Sequence, residues 1–522
     1  MNLVEEWGIT LAVFLPLLGA IVIALTPKGM EGIQKVLALA STGAALLVGL
    51  ALTFAFDHGE AGMQFEKTVP WIPSIDSNYH VGIDGISLPL LVLSVLVCFL
   101  CIIYACWHIP EPGNAKAFLA LILLLETGMN GSFIALDLVL FFVFWELVLV
   151  PMYFLIGIWG GENRQYASIK FFLYTLFGSV FMLLGFLALY FQSDPHTFDM
   201  MLLQEEGVLS LAPGLANLIF GGLALGFAVK VPMWPFHTWL PDAHTQAPTI
   251  GSVLLAAVLL KMGTYGFMRI AIPILPEPAM TFAPFIAVLA AIAIVYGALC
   301  CLAQTNLKRM IAFSSVGHMG FVMLGISTMT PEGFNAAVFG MVAHGIVTGM
   351  LFFLAGSIKE RYHTYEMPEL AGMGLKVPKM AGLLAFCAIA SLGLPGLAGF
   401  WGEVMALLSA YQPLEGLNPT IFRVCMVAGA IGTVLTAGYF LWMLQRVNMG
   451  KISEKWNKVK LNDVQRLEYA AWLPLLALIL VLGLYPRLIM DTTTSSVTAL
   501  SETITGRPAP IDEARVAQVE DR

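Results

Sequence analysis

The sequence predicts an all-α polytopic membrane protein with about fourteen transmembrane helices. Three observations carry this. Of the 522 residues, 58% are hydrophobic, and the mean hydropathy is +0.83. Only 11% are charged, less than half the share in a soluble domain. Apolar stretches of about 20 residues, the length that crosses a bilayer core, recur along nearly the whole chain. These features exclude a water-soluble enzyme, a nucleic-acid binder and a disordered regulator. The formal net charge of -8 carries little weight, because most of the chain never meets water.

In chain order the spans fall near residues 3–26, 33–56, 85–108, 115–129, 133–158, 167–193, 211–236, 250–272, 282–303, 309–328, 332–357, 379–410, 420–444 and 468–489. The first is no cleavable signal peptide, since its start, MNLVEEWG, is acidic where such a peptide is basic. The fourth is short. Residues 57–84 read as a long outer loop, and the polar tail after about 490 as a surface segment, in part disordered. An even number of spans puts both termini on one side, and the acidic N-terminus suggests the outer side. The positive-inside rule agrees: loops placed inside hold 17 Lys and Arg, whereas outer loops and the tail, Arg269 included, hold 7. All seven cysteines lie in apolar surroundings. The CFLC of Cys98 and Cys101 has no His or second pair nearby and reads as packing thiols. No P-loop, dinucleotide fingerprint or cysteine ligand set is present, so neither cofactor nor metal is expected in this chain.

Two cations, Lys230 and Lys261, belong to no loop. Lys261 lies about eleven residues into its span, roughly 16 Å deep. Glu146, in FFVFWELVLVPMYF, is similarly central, and Glu403, in LPGLAGFWGE, lies within span twelve. Each such group costs about 2.5–3.5 kcal/mol to insert, on the order of 10 kcal/mol for four. Packing salt bridges are the plain explanation; a proton relay is the functional one. Burial favours the neutral form of both lysine and glutamate, which brings proton exchange towards neutral pH. His318 and His344, in adjacent spans at the depth of Lys261, join the candidates. A haem would also use paired histidines, but nothing argues for more than this one pair.

Two spans read as broken: the seventh at Pro232 and Pro235, just after Lys230, and the twelfth at Gly393, Pro395, Gly396 and Gly399, just before Glu403. They sit five spans apart, and an odd offset reverses orientation, as in an inverted-repeat transporter. The expected organisation is 1–110, three N-terminal helices and the outer loop; 111–272, a first five-helix repeat; 282–445, a second, inverted repeat; and 446–522, the last helix and tail. Glu403 then lies on the outer side of its break, as a last station before release. The inner loop 237–249 has no Lys or Arg but carries His237, Asp242 and His244. It reads as a turn capped by Asp242 or Thr245, or else as a proton-collecting mouth. Asp137, about 13 Å towards the outer face from Glu146, reads as interfacial.

FFVFWELVLVPMYFLIG, VKVPMWPFHTWLPDAHTQAPT, RMIAFSSVGHMG and LPGLAGFWGE occur in order, and the chain from about 80 to 445 resembles the antiporter-like membrane subunits of respiratory complex I (NADH:quinone oxidoreductase). HVGIDGISLPLL and a glutamate at 403 look most like the subunit M, or chain 4, type, because the L and N types are expected to carry lysine there. The resemblance implies two inverted five-helix repeats within fourteen helices. It also implies roles: Glu146 as the ion-pair partner that modulates Lys230, Lys261 as the central proton carrier aided by His318 and His344, and Glu403 passing protons outward. NADH and quinone chemistry would reside in other subunits. The implied partners are other complex I membrane subunits on both lateral faces, lipids and protons, with no nucleic acid. The implied location is the bacterial inner membrane, in preference to the mitochondrial one. In such a relay, charges about 4 Å apart interact by roughly 4 kcal/mol at an effective dielectric near 20, or about three pKa units, enough to switch a lysine. The rivals are a subunit of a multisubunit sodium/proton antiporter, a subunit of an energy-converting hydrogenase, and a structural scaffold.

Overall fold

The structure, a computed structural model, describes residues 3–506. Thirteen of its helices are long and apolar enough to cross a membrane, or fourteen if Met367–Lys376 and Pro378–Ser391, bent by 115° at their junction, count as one span. The chain opens with α1 (Leu3–Leu25) and α2 (Glu31–Ala55), an antiparallel pair tied by the Ser41 hydroxyl to the Leu15 carbonyl at 2.8 Å. Their outward sides carry bare apolar residues such as Leu18 and Phe54, the latter 89% exposed, a surface that suits lipid or a neighbouring helix. Helices α3 (Ser87–Trp107) and α4 (Ala115–Ile134) close this first bundle. The fourth span thus runs five residues beyond its expected end.

Next come α5 (Leu138–Trp159), α6 (Arg164–Gln192), α7 (Pro213–Lys230) and the short α8 (Trp239–Gln246). Helix α5 is interrupted at Val148. Pro151 lacks an amide hydrogen, so the Leu147 carbonyl one turn earlier loses its helical partner. The core is built by α9 (Thr249–Ile274), α10 (Pro276–Leu302), α11 (Leu307–Ser327) and α12 (Pro331–Tyr362). The apolar stretch of α9 is wholly buried and that of α12 is 94% buried. Beyond them lie α13 (Pro378–Ser391), α14 (Ala398–Tyr411), α15 (Pro419–Val447) and α16 (Arg466–Leu484). Local sequence sets many starts. Prolines open α7, α10, α12 and α15, where no amide hydrogen is needed. Asn114, Asn306, Thr330 and Asn418 accept from the first-turn amides of α4, α11, α12 and α15.

Both expected breaks are present. Helix α7 stops at Lys230, and the chain resumes as α8 after residues 231–238. Span twelve is α13 and α14, two 14-residue helices parted by residues 392–397. At about 1.5 Å per residue, neither half alone crosses a bilayer core.

Two regions differ from expectation. The loop 57–84 contains an antiparallel hairpin, β1 (Gln64–Ile72) and β2 (Ser77–Ile83), with Thr68 opposite His80. Asp137 binds it to α5, accepting from Ser77 Oγ and the Asn78 amide while capping the Val139 and Leu140 amides. Asp137 is therefore a structural cap. The tail expected to be partly disordered is a helix, α17, over Arg487–Thr505. Its buried side is Thr492, Thr493, Ser496, Val497, Leu500 and Ser501. It docks largely through hydroxyls, Ser496 Oγ accepting from the Gly85 amide at 2.9 Å and Ser501 Oγ donating to the Met329 carbonyl at 3.0 Å. A helix that packs through hydroxyls has too little hydropathy to look buried. The rest of the tail, 507–522, lies outside the described residues.

His80 fastens the hairpin between two carboxylates, Nδ1 2.6 Å from Asp199 and Nε2 2.7 Å from Glu66. Burial works against its charged form, but the Asp199 and Glu66 carboxylates outweigh this and raise its pKa. Burial likewise opposes the Asp199 carboxylate, and His80 outweighs it, lowering that pKa. The His80 contribution is therefore complete below the unfolded value of about 6.5 and lost as pH rises through the raised folded value. The Asp199 contribution is lost only in acid. Hydrogen exchange of residues 64–83 should consequently speed up relative to a distant helix as pH rises above about 6.5 and through the raised His80 value. His80→Gln should remove that dependence; a pH dependence identical in the variant would refute the clamp.

Candidate functional site

The structure gathers four of the six candidate residues. Lys261 sits on α9 between two π-helical turns, Leu255–Leu259 and Phe267–Ala271, and is fully buried. A π turn widens the helix, and the Lys261 side chain folds back to donate to the Ala256 carbonyl within it. Its other partner is His344 on α12, Nζ to Nδ1 2.6 Å. With Lys261 donating, His344 Nδ1 accepts and Nε2 carries the hydrogen; Nε2 has no hydrogen-bond partner.

The rings of His344 and His318 lie 5.7 Å apart. His318, on α11, is engaged at both nitrogens: Nδ1 is 3.0 Å from Glu403 Oε1 and Nε2 3.0 Å from the Ser391 hydroxyl. Glu403 Oε2 is unpartnered. Two glycines make room for this. A Cβ on Gly402 would meet the Gly340 Cα at 2.7 Å, so only a glycine at 402 lets α14 approach α12 closely enough to bring Glu403 to His318. Gly393, in the break, has φ +82°, and a Cβ there would press on Glu403 Oε2 at 3.2 Å. A cavity of about 30 Å³, measured as the space open to a water centre, lies among His318, His344, Thr348, Ser391 and Glu403. At about 10–15 Å³ per water on that measure, it has room for two.

Glu146 and Lys230 form a second group. Both face the space between α5 and α7, but the expected ion pair is not closed. Lys230 Nζ and Glu146 Oε1 each lack a hydrogen-bond partner. Lys230, 1% exposed, lies instead over the Trp145 ring, Nζ 5.0 Å from its centroid. Trp145 is held by its indole N–H to Ser179 Oγ at 2.9 Å. Lys230 also ends α7, where an ammonium complements the helix dipole.

The inner loop is not the turn capped by Asp242 or Thr245. Asp242 caps no helix; it pairs with Lys170 at 2.6 Å and lies 3.7 Å from Arg309. Thr245 Oγ1 donates to the Pro241 carbonyl. His237 and His244 are buried, and His244 stacks on Phe352 with both ring nitrogens unpartnered. Three cations assigned to loops are buried as well. Arg269 pairs with Asp84 and touches Tyr265, Lys308 donates to the Ala247 carbonyl, and Arg361 pairs with Glu468. Glu126, on α4, is fully buried with neither oxygen partnered. It stands three residues from the expected end of a short span. The rule that found Glu146 would have found Glu126 had α4 been read at its full length.

Broken helices and ionisable groups buried at mid-span define a polytopic membrane protein of the antiporter-like class. The family model described as "NADH:quinone oxidoreductase/Mrp antiporter, TM" matches residues 135–436. The chain is 41% identical over 506 residues to NADH-quinone oxidoreductase subunit M of Rhodobacter capsulatus, covering 94% of this chain and 96% of that one. It therefore belongs to the NADH:quinone oxidoreductase/Mrp antiporter membrane-subunit family. Among solved structures it is similar to a chain of respiratory complex I from Thermus thermophilus, with TM-score 0.84, 30% identity, and 95% and 99% of the two chains covered. A chain of the Mrp complex from Dietzia sp. shares the fold at TM-score 0.82 and 20% identity, over 96% and 98% of the two chains.

Proposed function

We propose that this chain is the M-type proton-translocating subunit in the membrane arm of an NADH:quinone oxidoreductase. The likeness to subunit M over nearly its whole length supports the assignment, as does the glutamate, rather than lysine, at 403. The observation that carries the mechanism is the pair of hydrogen bonds Lys261–His344 and His318–Glu403 on either side of one cavity. Redox chemistry belongs to other subunits, which pack on the lateral faces of this one; lipid covers the remaining apolar surface. The two breaks, five spans apart, support reading 111–272 and 282–445 as inverted repeats. Both termini lie on the outer side of a bacterial inner membrane.

A proton held on Lys230 is stabilised when Glu146 swings in and destabilised when Glu146 swings away. The open arrangement seen here is the releasing one. The proton passes to Lys261, then to His344, across the cavity to His318, and out by way of Glu403. Water in the cavity bridges the 5.7 Å between the two rings. Glu146→Gln and Lys230→Ala are each expected to cut proton translocation by the reconstituted complex about tenfold or more, equivalent to at least about 1.4 kcal/mol in barrier, with assembly retained. Parental pumping in either variant would reject the relay. Transport that requires sodium would favour the antiporter assembly instead.

A further inference from the structure

His318 poses a problem for any relay that uses it. Both ring nitrogens are occupied, and no hydrogen bond joins it to His344. A proton leaving His344 Nε2 enters the cavity, and the ring can receive it only at Nε2, which faces Ser391. Ser391 is the last residue of α13, at the lip of the break; it is 3% exposed, and it lines the cavity. Its hydroxyl is 3.0 Å from His318 Nε2. A hydroxyl has one hydrogen to give and lone pairs to accept another. It is thus placed between the cavity and the Nε2 side of the ring.

We propose that the Ser391 hydroxyl conducts the proton from the cavity to His318. This rests on the relay reading above and adds a member to it. A proton arriving from the cavity bonds to Ser391 Oγ while the hydroxyl's own proton moves to His318 Nε2. The resulting imidazolium gives its Nδ1 proton to Glu403 Oε1. At serine one O–H bond forms and one breaks; on the ring an N–H forms at Nε2 and one breaks at Nδ1; an O–H forms on Glu403. One proton has moved, and neither Ser391 nor His318 keeps a charge. Because the hydroxyl sits at the broken end of α13, movement of the break would open or close this step. That couples the helix discontinuity to proton flow.

The test uses the full complex in sealed vesicles, with proton uptake followed by a pH-sensitive dye. Ser391→Ala should slow translocation about a hundredfold, the low end of what a positioned proton-transfer group contributes, and should enlarge the slowing in heavy water. Ser391→Thr, which restores a hydroxyl, should recover most of the flux. If Ser391→Ala pumps as the parent does, the proposal fails. If Ser391→Thr falls as far as alanine, the loss is one of packing and the proposal also fails. Glu403→Gln measured alongside separates the two levels. With Glu403→Gln inactive and Ser391→Ala active, only the serine step is wrong; with both active, the relay itself is wrong.

Discussion

Replacing Lys261 by leucine is expected to reduce proton translocation by the assembled complex to the passive leak of the vesicles. Lys261 is fully buried. Its head group hydrogen-bonds to the Ala256 carbonyl and to His344. No other cation among the described residues bonds to His344, so no neighbour can take over its place. Leucine fills a comparable volume without a charge to bury, while leaving the Ala256 carbonyl and His344 Nδ1 without this donor, at a cost of about 1–3 kcal/mol each. The complex should therefore still assemble, with at most a modest fall in its thermal midpoint, while failing to pump. Lys261→Arg should fail too, because a guanidinium keeps its proton. A packing role predicts the reverse order, with arginine tolerated and leucine destabilising. Dye-monitored pumping and thermal unfolding of the same preparations distinguish the two, and parental pumping by the leucine variant would remove Lys261 from the mechanism.

The largest effect on stability is expected at the far end of α12. Arg361 makes a two-pronged ion pair with Glu468 of α16, at 3.0 and 2.6 Å, and also donates to the carbonyls of Ser357, Asn462 and Asp463. Glu468, fully buried, in turn accepts from the Gln465 amide at the start of α16. Removing one partner leaves the other charge buried and uncompensated, at a cost of about 3–5 kcal/mol. Arg361→Ala or Glu468→Ala should thus lower the thermal midpoint of the purified protein sharply. The double variant Arg361→Met with Glu468→Leu should recover much of the loss, since a buried pair is often replaceable by apolar residues. Equal midpoints for Glu468→Ala and the parent would show that the pair holds nothing together.

Much of this architecture was legible in the chain, for a local reason. Burying a peptide in lipid obliges each segment to satisfy its own backbone, so spans appear as helices of predictable length. The cost of an ionisable group in such a span is equally local, and Glu146, Lys230, Lys261 and Glu403 stood out on that ground. The prolines after Lys230 and the glycines before Glu403 marked both breaks for the same kind of reason. What escaped notice depended on boundaries or on neighbours. Arg269 and Arg361 lay near span ends and passed for loop cations, although Asp84 and Glu468 bury them. Helix α17 was hidden because it docks through serine and threonine hydroxyls. Ser391 is an ordinary residue in an apolar helix until His318 is placed beside it.

The sequence by itself determined that the chain crosses a membrane some fourteen times, where its helices break, and which charges must lie at depth, because each of these follows from free energies summed along one segment. Only the tertiary structure decided that Lys261 bonds to His344, that His318 and not a lysine reaches Glu403, and that Glu146 stands off from Lys230. Those outcomes turn on how closely two helices approach, which at α12 and α14 is set by the bare backbone of Gly402 against Gly340. Contact between distant segments is a property of no segment alone.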